Sequence, residues 1–150
     1  MGVMLYIAVF FPMLSALVSY LLGRKRKELR DCFAVVAAGA EFGFFLWFLG
    51  NVLSNGSSKE IAELPGVCGM GLHLTMDGFR ALYGTIAAFM WFMSTLFSRE
   101  YFGHYRNRNR YYFFLLITLG ATEGVFLSAD FYTTFLFFEI MSFTSYLWVA

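Results

Sequence analysis

The chain has 150 residues, of which 59% are hydrophobic and 21% aromatic, while only 14% are charged. That usage lies outside the range of soluble domains, so lipid is the solvent in which the residues have to be read. Eleven Lys and Arg against ten Asp and Glu leave a formal net charge of +1, a balance that points to neither nucleic acid nor an acidic substrate as partner.

Five runs are long enough to cross hydrocarbon: Val3 to Leu22, Cys32 to Leu53, Phe79 to Phe97, Tyr111 to Ala129 and Phe131 to Ala150. Each approaches the roughly 20 residues that a spanning helix needs. The first run has no charge before it and Arg24-Lys25-Arg26-Lys27 after it. A cleavable signal has the reverse order, so a retained helix is expected. The connection from Gly23 to Asp31 holds five basic residues and that from Ser98 to Arg110 holds four, whereas Ser54 to Gly78 holds only Lys59. Basic loops stay on the cytoplasmic side, which predicts an N-terminus outside and a fifth helix running inward. The fold class is therefore all-α: a single polytopic transmembrane helix bundle of five spans.

Between the second and third spans, turn residues at Ser54-Asn55-Gly56-Ser57-Ser58 and Leu64-Pro65-Gly66 frame an alternation of Leu72, Leu74 and Met76 with His73, Thr75 and Asp77. A short strand or hairpin in this outer loop is predicted. Asp77 is placed to cap the third helix and to meet Arg80, whose long side chain would reach the outer headgroups. The fifth run closes at Ala150 with no basic flank, unlike the other inward ends, which predicts a longer chain or a last helix held by a neighbour.

Three carboxylates lie inside predicted spans: Glu41, Glu123 and Glu139. An acidic residue at a helix centre costs about 2.5 to 3.5 kcal/mol on insertion scales, so each has to face protein, pair, or carry a proton. Glu139 is eight residues from Phe131. At 1.5 Å per residue it lies about 12 Å in, near the middle of a core roughly 30 Å thick. Ser142 and Tyr146 share its helical face and Ser145 flanks it, a hydroxyl-bearing stripe on an aromatic helix. Proton relay is the functional reading of these residues; a protonated Glu bonding a neighbouring helix is the structural one. Glu41 between Gly39 and Gly43, and Glu123 between Gly120 and Gly124, ride on small-residue helix contacts, so close packing competes with relay membership at both. Glu123, nearer the outer end, is expected to sit in a partly hydrated pair or to bond a backbone carbonyl. Asp130 is expected at a solvated turn or helix cap.

The loop from Arg99 to Tyr112 interleaves bases with aromatics, which in a membrane setting reads as an interfacial belt and not as a nucleic-acid surface. His73 with His104, and Cys32 with Cys68, fall on opposite sides of the predicted membrane. Neither a metal cluster nor an internal disulfide is expected. Gly66, Gly69 and Gly71 lack the Lys-Ser/Thr ending of a phosphate loop, and no pairing suggests nucleophilic catalysis.

Leu74-Thr75-Met76-Asp77-Gly78-Phe79 opening a span, Phe97-Ser98-Arg99-Glu100-Tyr101 closing it, and Phe137-Phe138-Glu139-Ile140-Met141-Ser142-Phe143-Thr144-Ser145-Tyr146-Leu147 carry a resemblance. Together they resemble the antiporter-like membrane subunits shared by respiratory complex I, Mrp-type cation/proton antiporters and membrane-bound hydrogenases. The resemblance covers about residues 70 to 150. It implies that the chain is the N-terminal portion of a longer subunit in the cell membrane, and that its partners are other membrane subunits, the lipid bilayer, and protons or sodium ions. It implies no cofactor and no catalytic site here, redox chemistry falling to partner subunits. Glu139 matches the family's fifth-helix glutamate, which is thought to pair with a lysine on a later helix. Phe138 stands where tryptophan is frequent and Thr144 where proline is common. The alternative is a structural or assembly module in which Glu139 only bonds neighbouring helices.

Overall fold

Helices form wherever the long apolar runs occur, because backbone groups in an apolar medium have to bond within their own segment. The structure, a computed structural model, describes residues 2–55, 60–65, 70–102 and 108–149. Its elements in order are α1 (Gly2–Lys25), α2 (Lys27–Asn55), β1 (Glu60–Leu64), β2 (Leu72–Met76), α3 (Gly78–Tyr101), α4 (Arg108–Leu127) and α5 (Phe131–Val149). Each predicted run lies within or close to one helix. Three of them, α1, α2 and α3, are long and apolar enough to cross a membrane. The expectations for Gly56–Ser58, Lys59, Gly66, Cys68, Gly69, His104 and Ala150 lie outside the described residues.

The first connection corrects the sequence reading. There is no basic loop from Gly23 to Asp31: Arg26 alone separates α1 from α2, and its amide still donates to the Leu22 carbonyl at 2.8 Å. Arg30 and Asp31 lie inside α2 and are buried. Asp31 accepts from Arg30 Nε at 2.8 Å and from Arg108 of α4 at 2.9 Å, while the Arg30 guanidinium sits 5.2 Å from the centre of the Tyr112 ring. Asn109 adds a bond to the Tyr20 carbonyl at 3.1 Å. The start of α4 is thus tied to both α1 and α2.

α4 is the centre of the bundle, packed against α1, α2, α3 and α5. Small residues set its approach to two of these neighbours. A Cβ on Gly120 would lie 2.7 Å from the Val9 carbonyl oxygen of α1, and one on Gly124 would lie 2.5 Å from the Phe137 ring of α5. Both glycines thus make the contacts their spacing suggests. Gly39 approaches Phe92 of α3, whereas Gly43 meets nothing within 4 Å and is no contact point.

The predicted hairpin is present. β1 and β2 pair antiparallel with Ile61 opposite Thr75 and Glu63 opposite His73, and Gly71 takes the left-handed conformation (φ 84°) beside the turn. Leu72, Leu74 and Met76 are buried and form part of the main core with Leu5, Val9, Phe45 and Phe137. The other edge of β2 clips the α4–α5 turn: the Ala129 amide donates to the His73 carbonyl at 2.8 Å and the His73 amide to the Thr133 hydroxyl at 3.1 Å. Asp77 caps α3 as expected, accepting from the Arg80 amide at 2.9 Å. Arg80 also donates to the Ser128 carbonyl at 3.0 Å, so it fastens α3 to the same turn and does not simply reach for headgroups.

Asp130 caps α5, accepting from the Thr133 amide at 3.0 Å, with His73 Nδ1 at 3.7 Å. The Thr133 hydroxyl first, then its amide and the nearby His73, hold the Asp130 carboxyl below the usual carboxylate range. A depressed folded-state value stabilises above the unfolded carboxylate pKa of about 3.9, and that stability is lost as pH falls through the folded value. Asp130→Asn should therefore unfold at lower temperature than the parent at pH 7, and the two thermal midpoints should converge in acid.

Candidate functional site

The inner face of α5 is formed by Thr133, Phe137 and Thr144, which are buried at spacings of four and seven residues. Phe137 fills the space left by Gly124, and Thr144 accepts from Thr118 of α4 at 2.8 Å while donating to its own Ile140 carbonyl at 2.8 Å. Glu139 lies on the opposite side. It is exposed, as are Phe135, Phe138, Ser142, Phe143 and Tyr146, and among the described residues nothing forms a hydrogen bond or ion pair with it. The stripe expected from the sequence is therefore real for Glu139, Ser142 and Tyr146, and it faces away from the bundle. Ser145 is half-buried and its hydroxyl is spent on the Met141 and Ser142 carbonyls at 2.7 and 3.0 Å.

Glu41 and Glu123 point the other way. Their exposures are 2% and 0%, and Glu41 Oε1 and both Glu123 carboxylate oxygens have no hydrogen-bond partner. Glu41 lies on α2 and Glu123 on α4, two helices that pack together. The expectation of a partly hydrated Glu123, or one bonded to a backbone carbonyl, is corrected: it is enclosed by protein. Room for it comes from α3, where a Cβ on Gly84 would sit 3.0 Å from Glu123 Oε2 and 2.3 Å from the Phe45 ring. Nearby hydroxyls offer no donor, since Thr85 donates to the Ala81 carbonyl at 2.6 Å and Thr122 to the Thr118 carbonyl at 2.7 Å.

The three carboxylates thus do not converge. Glu41 and Glu123 are each buried within the bundle, and Glu139 stands on the outer surface of α5. Sequence reasoning missed Gly84, although Ala81, Gly84, Thr85 and Ala88 recur at helical spacing and all are buried. It also missed the Arg30–Asp31–Arg108 cluster.

No protein-family model matches the chain. Over 149 residues, 98% of its length, it is 29% identical to Na+/H+ antiporter subunit A1 of Staphylococcus haemolyticus. Subunit A1 of Staphylococcus saprophyticus is 27% identical over 148 residues. The chain is homologous to the A subunits of Mrp-type Na+/H+ antiporters. It spans 18% of those antiporter subunits' length. A chain of the membrane-bound sulfane sulfur reductase, an archaeal respiratory membrane complex, shares the fold, with a TM-score of 0.83 at 23% identity. That superposition covers 97% of this chain and 30% of the reductase chain. The likeness to antiporter-like subunits seen around Glu139 therefore extends over nearly the whole chain.

Proposed function

We propose that the chain is part of a longer, multi-pass subunit of the cell membrane that moves protons or sodium ions within a multi-subunit complex, with Glu139 as its relay carboxylate. Residues 1–150 form one transmembrane region of that subunit, with all five helices spanning and the N-terminus outside. The observation that carries the reading is an exposed, unpartnered carboxylate midway along α5 in a chain homologous to antiporter subunits. Facing lipid it would cost about 2.5 to 3.5 kcal/mol, so in the assembled complex a further helix with polar or basic groups covers it. Ser142 and Tyr146 lie along the same exposed strip and would hydrogen-bond the carboxylate or a bound water.

The test is Glu139→Gln in the complete complex reconstituted into vesicles. Ion pumping is expected to fall at least tenfold while the complex still assembles. Pumping that survives the substitution sinks the relay and leaves Glu139 as an interhelical bond in a structural module.

A further inference from the structure

We propose that the exposed face of α1 towards its C-terminal end binds an anionic phospholipid, whose phosphate meets Arg24 and Lys25 and whose acyl chain lies along Leu21, Val18 and Leu14. The site depends on α1 lying in a bilayer and is independent of Glu139 and of ion movement.

Helical spacing builds the face. Leu14, Leu17, Val18 and Leu21 are all exposed, and further steps of three and four residues bring Arg24 and Lys25 onto the same side. The side chains of Val18, Leu21, Leu22, Arg24 and Lys25 border a recess of about 500 Å³. Both cations are exposed, and among the described residues neither is in an ion pair; Glu28, the nearest acid in sequence, is in none either. Arg30 differs, being buried and already neutralised by Asp31. An occupant of the face therefore has to be apolar over most of its length and negative at one end.

Its length is set as well. Lys25 is eleven residues beyond Leu14. At 1.5 Å per residue that is about 16 Å, and half of a hydrocarbon core roughly 30 Å thick is about 15 Å, the reach of a lipid in one leaflet. A second helix is the competing occupant, and the composition of the face opposes it. Helices in lipid approach one another through small side chains. On this stretch of α1 those are Ser15, Ala16 and Ser19, which are all buried on the other side, whereas the exposed face carries leucine and valine below its two bases. Anionic lipids of the cytoplasmic leaflet attract bases at a helix end, and the basic flank of α1 is the end that the positive-inside rule assigns to that leaflet.

Photolabelling of the complete complex in phosphatidylcholine vesicles tests the site without measuring transport, so its outcome is separable from the fate of Glu139. The probe is phosphatidylglycerol with a diazirine on its acyl chain, compared with phosphatidylcholine carrying the same chain at the same mole fraction. Labelled positions are mapped by peptide mass spectrometry. Residues 14–21 should be labelled about tenfold more by the anionic probe, the size expected of two bases beside one negative headgroup. Met90, exposed on α3 at the same helical distance from that helix's end, should show no such preference. Arg24→Gln combined with Lys25→Gln should bring the two probes level on α1. Equal labelling in the parent would mean ordinary boundary lipid and overturn the proposal, as would an equal preference at Met90. Labelling of α1 by neither probe overturns it too, because protein then covers the face. Should the double variant not assemble, the parent at about 1 M salt replaces it, where screening acts within about 3 Å. The preference should fall severalfold there, and one that salt leaves unchanged would show that the two bases do not hold the headgroup.

Discussion

Asp31→Ala is expected to lower stability by about 3 to 5 kcal/mol, the usual cost of leaving a buried charge without its partner. Asp31 is the only described carboxylate bonded to Arg30, whose exposure is 2%, and it also accepts from Arg108. Removing it strands one enclosed guanidinium, leaves a second without its anion, and unties α2 from the start of α4. The Tyr112 ring remains beneath Arg30 but cannot replace an anion, since a cation–π contact gives about 0.5 to 2 kcal/mol. Arg108→Gln should be milder, because Arg30 still neutralises Asp31. The thermal unfolding midpoint of the purified complex, followed through this subunit, ranks the two. Equal midpoints for Asp31→Ala and Arg108→Gln would show that Arg30 does not depend on Asp31.

Gly120→Ala is expected to destabilise by about 1 to 3 kcal/mol through overpacking. The new Cβ would sit 2.6 Å from Met13 Cγ, 2.7 Å from the Val9 carbonyl oxygen and 3.2 Å from Pro12 Cγ. Met13 can swing away. The Val9 carbonyl and the proline ring belong to the α1 backbone and cannot, so α1 and α4 have to move apart. Gly43→Ala supplies the contrast of opposite sign: nothing lies within 4 Å, and in a helix alanine is favoured over glycine by about 0.8 to 1 kcal/mol. Thermal midpoints should fall for the first and hold or rise for the second. A neutral Gly120→Ala would mean that the α1–α4 contact relaxes freely.

Much of the architecture was legible because hydropathy, turn residues and alternation are local signals. The helices, the hairpin from Glu60 to Met76 and the Asp77 cap all follow from neighbours within a few residues. The depth of Glu139 followed from helix rise alone, but its direction did not. Both faces of α5 carry aromatics, Phe137 inward and Phe135, Phe138 and Phe143 outward, so helical period shows which residues share a side and not which side meets α4. The Asp31 cluster was hidden for another reason. Counting bases between spans informs about orientation, whereas pairing Arg108 with Asp31 needs the tertiary fold to bring together residues 77 apart in sequence.

The enclosure of α4 bears on how the protein is made. Arg108, Arg110, Thr118, Thr122 and Glu123 dilute its hydrophobicity, and it is not among the three helices apolar enough to cross a membrane on composition. Its polar side chains Thr118, Thr122 and Glu123 are buried against other helices, so α1, α2 and α3 supply the medium into which it fits. On the proposed five-span arrangement, α1, α2 and α3 have the apolarity to enter on their own partition energy, and α4 is expected to be retained by docking against its neighbours. Substitutions that obstruct that docking, at Gly84 or along the Val9–Pro12 turn, would show first as a failure of α4 to enter during synthesis, before any fault in the finished protein.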